Sequence, residues 1–334
     1  MKSKIYLVTG AAGFLGGNVC HKLVSRGEMV RAFVLTGDPA ADCLPPEVEI
    51  VYGDLVDKSS VEKLFDVPAD TDIIVIHCAS IVAISPEPTQ LIYDVNVTGT
   101  KNVVDLCVEN GVKKLVYVSS TGTIEELMGN QVMYEPTEFN PDTRIGYYAQ
   151  TKTMATGYVL KSSNEHGLDA SVVYPSGICG PYDNAYGPVA QVILKYCKGD
   201  MPSGIEGSFN AVDVRDLAEA TIACVEKGRK GEGYILSNEM FSMRQLFEII
   251  DETTGTKQST VFLTGDEMKS ATIKNAGGQL DDKALKALEF SIWNLERNNN
   301  FSSEKAEHEL DYHPRSIHET ISDSVKWLQS IGKI

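Results

Sequence analysis

The chain of 334 residues is poor in basic charge: 30 Lys and Arg stand against 46 Asp and Glu, a formal net charge of −16. Nucleic-acid phosphates and anionic headgroups are repelled by such a surface, so neither nucleic acid nor membrane is expected as a partner. Long hydrophobic runs are absent too. The most apolar internal run, Ile73 to Ile84, is broken by His77 and Ser80 and falls far short of the roughly 20 residues of a membrane-spanning helix. The opening stretch imitates a secretion signal, with Lys2 and Lys4 ahead of an apolar run, but Thr9 and Gly10 interrupt it. Cysteine is sparse and scattered: seven residues, no C-x-x-C pair and no histidine at a metal-binding spacing. That pattern excludes a disulfide framework and a metal site, and fits small buried hydrophobes in a reducing, cytoplasmic setting. No internal repeat occurs. With 43% hydrophobic and 23% charged residues, the chain has the make-up of an ordinary globular protein.

What is present is an alternation of short β-branched runs and longer helical patterns. The strands are placed at Ile5 to Val8, Val30 to Leu35, Val48 to Val51, Ile73 to Ile76, Leu115 to Val118 and Ser171 to Tyr174. Helical segments fall near 13–26, 58–66, 89–110 and 144–166. Continuous rather than alternating apolarity predicts strands buried on both faces, hence an α/β fold with a Rossmann-type doubly wound parallel sheet. After Pro175 the texture changes, with Gly177, Gly180, Pro181, Gly187 and Pro188 close together. The expectation is a dinucleotide-binding domain over 1–175 and, over 176–334, a smaller irregular substrate lobe with some segments returning to the first domain. Its helices are placed at 187–198, 214–227, 242–255 and 317–330, with a strand at Gly233 to Leu236; the stretch 264–300 is the least legible.

Chemistry enters with Thr9-Gly10-Ala11-Ala12-Gly13-Phe14-Leu15-Gly16, directly after the first strand and opening the first helix. Glycines there permit a tight turn, bring backbone N–H groups up to a pyrophosphate and let helix and sheet pack closely. Asp54, ending the third strand, is placed to accept from an adenine amino group, or else to cap its own turn. Tyr148 and Lys152 lie one helical turn apart on one face, so an ammonium would lower the phenol pKa toward the working range of a general acid/base. Ser119-Ser120-Thr121 follows the Leu115 to Val118 strand at the sheet's C-terminal edge, where ligands of open parallel sheets bind. Asn96 sits within a helical segment, where asparagine is mildly unfavourable, and is a supporting hydrogen bonder.

Together these motifs resemble the extended short-chain dehydrogenases/reductases of the epimerase/dehydratase superfamily, and more closely the branch like dihydroflavonol reductase. Gly53-Asp54-Leu55, His77-Cys78-Ala79, Asn96 to Thr100, Tyr174 to Pro181, Asp213 to Ala218 and Leu310 to Arg315 extend the match along almost the whole chain. The resemblance implies Ser120, Tyr148 and Lys152 as catalytic triad with Asn96 as fourth member, and Thr121 in place of Ser120 if the loop is one residue out of register. It implies cofactor contacts from Gly10, Ala12, Gly13, Phe14, Leu15, Gly16, Asp54, Leu55, His77, Ala79, Asn96, Tyr148, Lys152, Pro175 and Ser176. Substrate contacts would come from Ile81, Ser120, Thr121, Tyr148, Ile178 and Tyr182. His77 itself, among small residues at a strand end, is read as satisfying backbone groups near the cofactor. The acidic pairs Asp281-Asp282 and Glu125-Glu126 are read as solvated faces.

Departures from the family pattern narrow the substrate. Gly177 and Phe209 stand where nucleotide-sugar enzymes usually carry Asn and Arg, and Tyr174 replaces a usual Arg. The segments 80–84, 122–128 and 179–188 supply Ile81, Val82, Ile84, Tyr182 and Tyr186 as pocket walls. A small apolar or aromatic carbonyl compound, or the matching alcohol, is the expected substrate. The cofactor is NAD(H) or NADP(H), with NAD(H) favoured because Lys and Arg are absent from Ala32 through Leu55; Arg31 speaks the other way. A second reading is an epimerase or dehydratase of sugars that retains its NAD, and a third is a nucleotide-sensing protein without turnover. Relatives dimerise through two long helices, here 89–110 and 144–166, so a homodimer is expected.

Overall fold

Successive residues of the central strands point to opposite faces of one sheet, and both faces are buried. In the computed structural model, which describes residues 3–83 and 86–334, this holds for β1 (Ser3–Thr9), β4 (Thr71–His77) and β5 (Lys114–Val118). Tyr6, Val8, Ile74, Ile76, Val116 and Val118 enter one core, while Leu7, Ile73, Val75, Leu115 and Tyr117 enter another. Strands of this kind are stable only inside a sheet covered by helices on both sides. The sheet is completed by β2 (Met29–Leu35), β3 (Glu49–Gly53), β6 (Ala170–Pro175) and β10 (Gly233–Leu236). Its seven strands run parallel in the order β10-β6-β5-β4-β1-β2-β3. The order reverses between β1 and β4, which opens a crevice at their C-terminal ends.

One face is covered by α1 (Phe14–Ser25), α7 (Val214–Lys227) and α11 (Glu304–Leu310), the other by α2 (Lys58–Glu62), α4 (Thr100–Glu109) and α5 (Tyr147–His166). The expected helix over 89–110 is divided. A short α3 (Gln90–Tyr93) runs into a π-helical turn at Asp94–Gly99 before α4 begins. The widening accommodates Leu55, whose Cβ would lie 2.9 Å from any Cβ at Gly99, and it carries Asn96. The strand Gly233–Leu236 is not part of the second lobe. It is the seventh strand of the main sheet, beside β6, and Gly233 is what lets it close up, because a Cβ there would meet the Tyr174 ring at 2.3 Å.

The second lobe holds β7 (Gly177–Cys179), β9 (Ser208–Asp213) and β11 (Met240–Ser242) in one small sheet and β8 (Ser203–Ile205) with β12 (Val261–Leu263) in another. These pack with α6 (Pro188–Cys197), α8 (Met243–Thr254) and α12 (Ile317–Ser330) around Ile193, Phe241, Phe247, Ile321 and Leu328. The stretch 264–300 forms α9 (Gly265–Asn275) and α10 (Asp282–Glu296). Asp281 is exposed, as expected, and also caps α10: its carboxylate accepts from Ala284 N at 2.7 Å. None of the helices among the described residues is long and apolar enough to cross a membrane.

Candidate active site

Gly10 adopts φ +64°, and a Cβ there would lie 2.6 Å from Ala79 N; at Gly16 a Cβ would lie 2.1 Å from Gly10 O. Only glycine lets the loop, the β4 end and α1 come this close. Gly13 caps α1 with no side-chain hydrogen bond, so the first N–H groups of the helix are left for an anionic ligand. Ala11 to Phe14 line a cavity of about 430 Å³, shared with Asn18 and His21 of α1, Ala40 and Leu44 after β2, and Tyr182, Asn184 and Ala185. At the inner end of the same sheet edge the Ser176 hydroxyl is buried without a hydrogen-bond partner. A glycine cradle, a roomy cavity over it and an orphaned donor fit a dinucleotide.

Three of the expected cofactor residues serve the fold instead. The side chains of Leu15 and Leu55 lie in the two cores, which leaves only their backbones at the cavity. His77 is fully buried and bonded to hydroxyls, not to backbone groups. Thr100 Oγ1 donates to Asn96 O at 2.7 Å, so it accepts from His77 Nε2–H at 3.0 Å, and Nδ1 in turn accepts from Thr9 Oγ1 at 2.5 Å. Burial holds its pKa down to about 3, so the ring is neutral and its tautomer is fixed by the two threonines. Asp54 Oδ1 accepts from Val56 N at 3.0 Å, the turn-capping role. Arg31 is buried against Glu49 Oε2 at 2.9 Å and the carbonyls of Leu64 and Asp66, and therefore offers nothing to a 2′-phosphate.

Tyr148 stands at the start of α5. Burial pushes its phenol above the ordinary value, while hydrogen bonds with Ser120 and Ser80 pull it down. Lys152 does not act on it here: its ammonium donates to Val118 O at 2.6 Å and sits 4.6 Å over the Tyr117 ring. Burial brings Lys152 down to about 7. Of the adjacent hydroxyls, Ser119 is tied to Thr156 Oγ1 at 2.7 Å and Thr121 is buried in a 3-10 turn, so Ser120 is the one that reaches the phenol. Asn96 lies behind: its Oδ1 accepts from Ile81 N at 2.8 Å and its Nδ2 donates to Ile81 O and Thr151 Oγ1. It positions the Ser80-Ile81 segment against α5.

The loop expected to wall the substrate reaches the cofactor side. Tyr182, with φ +71°, lines the glycine-loop cavity and meets Trp327 edge-on at 6.2 Å. Asp183 holds that arrangement by accepting from Gly187 N at 2.7 Å. Ile178 packs against the sheet core, and Ile84 lies outside the described residues. The wall that sequence reasoning missed is α10. A Cβ on Gly146, two residues before Tyr148, would lie 2.8 Å from the Phe290 ring, and Lys286 pairs with Glu87 at 2.7 Å.

A glycine cradle for phosphates at the C-terminal edge of a parallel sheet, with Ser120 and Tyr148 at the same edge, is the equipment of an NAD-dependent dehydrogenase or reductase acting on CH–OH groups, and this protein is one. A profile of the NAD dependent epimerase/dehydratase family matches residues 6–237, and the chain belongs to that family. It is 29% identical over 340 residues to sterol demethylase protein B of Methylococcus capsulatus, covering 98% of this chain and 99% of that one. With a putative dihydroflavonol 4-reductase of Synechocystis it shares 26% identity, covering 98% and 96%. The crystal structure of gox2253 superposes with a TM-score of 0.83 at 29% identity, covering 99% of both chains.

Proposed function

We propose that this enzyme interconverts a carbonyl and an alcohol on a small apolar or aromatic substrate, with Tyr148 as general acid/base. The observation that carries the reading is the pair of hydroxyls, Ser120 and Ser80, on a half-buried Tyr148 phenol. A carbonyl oxygen taking the place of one of these contacts accepts from Ser120 and receives the phenol proton. NAD(H), held by Gly10 to Gly16 and Ser176, supplies or removes the hydride. Lys152, its ammonium anchored on Val118 O, lies on the same face of α5 one turn beyond Tyr148. Asn96 keeps Ser80 in reach.

The substrate class rests on what blocks a nucleotide sugar. Phe209 lies on Phe241 with ring centroids 4.1 Å apart, which fills the place of an arginine with aromatic core. Gly177 has no room for asparagine, since even a Cβ would stand 3.0 Å from Asn210 O. Relatives named for sterol and dihydroflavonol chemistry are in keeping with an apolar ring substrate. We also propose a homodimer through α4 and α5, with light scattering as its check.

The test follows NADH absorbance against aldehydes, cyclic ketones and aromatic carbonyls. Turnover that drops about 10²- to 10⁴-fold in Tyr148→Phe is expected. No consumption, with NAD bound to the purified protein, would instead favour the epimerase or dehydratase reading.

A further inference from the structure

Buried cations in this protein are well supplied with acceptors, except one. Arg144, 4% exposed, donates to Thr123 O and Thr143 Oγ1 and faces Glu125. Lys114, 5% exposed, donates to Asp169, Ser171 and Gly228 O. The Arg297 side chain, 11% exposed, has its Nε buried without a hydrogen-bond partner among the described residues, and its one ion pair, with Glu126 Oε2, is long at 3.9 Å. Glu126, exposed as expected, is also occupied elsewhere, because its Oε1 accepts from Asn298 N at 3.0 Å. Leaving the buried Nε–H of a guanidinium without an acceptor costs on the order of 1–3 kcal/mol. Such an arrangement persists where a ligand completes it.

The position says which ligand. Lys286, Phe290, Trp293 and Arg297 recur at i, i+4, i+7 and i+11, one face of α10 and its C-cap. Phe290 touches Gly146 beside Tyr148; Trp293 stacks on Phe290 at 5.4 Å, and the Arg297 guanidinium lies 4.8 Å over Trp293. Glu126 belongs to the loop that begins at Ser120. The aromatic stripe therefore runs from beside the start of α5, at Gly146, to the arginine, about 10 Å along the helix from Phe290.

We propose that Arg297 binds a carboxylate on the substrate, at the end remote from the reacting carbonyl, with the substrate's apolar body lying on Phe290 and Trp293. A monoanion is favoured over a phosphate dianion because Glu126 already offsets part of the charge of the single guanidinium. The inference rests on the reductase reading above and adds the acid group to it.

The probes are 4-acetylbenzoate and 4′-acetylbiphenyl-4-carboxylate, each beside its methyl ester, in NADH assays of wild type, Arg297→Lys, Arg297→Gln and Glu126→Gln. The biphenyl acid is expected to be favoured over its ester by about tenfold or more in kcat/KM, through KM. Arg297→Gln abolishes that preference while turning over the ester as wild type does, Arg297→Lys keeps part of it, and Glu126→Gln widens it, which an unfolded variant cannot do. Equal use of acid and ester by wild type, or a preference that survives Arg297→Gln, overturns the proposal. If no ketone is reduced, the reductase reading fails and binding still decides this one. In Trp327→Phe, Trp293 is the sole tryptophan, and its fluorescence must respond to the acid and not to the ester.

Discussion

At the scale of single residues, the hydrogen-bond chain through His77 has a measurable pH consequence. Its folded pKa of about 3 lies below the ordinary value of 6.5, so between those values the unfolded chain binds a proton that the folded one refuses. Stability is therefore full above pH 6.5 and falls by about 1 kcal/mol per pH unit as pH drops below it. Urea unfolding of wild type at pH 7, 6 and 5 should show this slope, and His77→Gln should flatten it while lowering stability at pH 7. A variant as steep as wild type would place the acid sensitivity elsewhere. That Tyr148 and Lys152 share a helix face and that Ser120 follows a strand was legible from the sequence, since a four-residue interval on a helix and a hydroxyl after a strand are local facts. The partners of His77 were not, because Thr9 and Thr100 meet it only when β1, β4 and α4 assemble.

At the scale of elements, two glycines set how parts approach. Gly146, at φ +89°, starts α5 and abuts Phe290. Gly146→Ala should cost about 1–3 kcal/mol by strain and overpacking and reduce kcat, because the turn that aims Tyr148 must shift. Thermal melts and steady-state kinetics together check it: a loss of stability with unchanged kcat would detach Phe290 from the site. Gly233 answers the Tyr174 substitution noted in the family pattern. Gly233→Ala alone should destabilise by a similar amount, whereas the same change in a Tyr174→Ala background should cost much less, a coupling read from a double-mutant cycle. Helix termini in the second lobe were written in the chain, as Thr264-x-x-Glu267 and Ser242-x-x-Gln245 form capping boxes. Where those helices dock was not.

At the scale of the whole molecule, a net charge of −16 works against a polyanionic cofactor, so local donors must hold it. Neither Lys nor Arg is among the residues lining the glycine-loop cavity, and Arg31 is spent on Glu49. NADH should accordingly outperform NADPH by about tenfold or more in kcat/KM, mostly through KM. Equal use would require a cation to move into the cavity.

The sequence by itself determined the parallel sheet, the glycine loop and the placing of Tyr148 and Lys152 on one helix face, because strand burial, turn chemistry and helical spacing act over a few residues. Tertiary structure alone decided that Gly233–Leu236 joins the main sheet, that Tyr182 faces the cofactor side and that α10 walls the site and leaves the Arg297 Nε without a partner. These depend on contacts between segments far apart in the chain, such as Glu126 with Asn298, for which a linear pattern carries no distance.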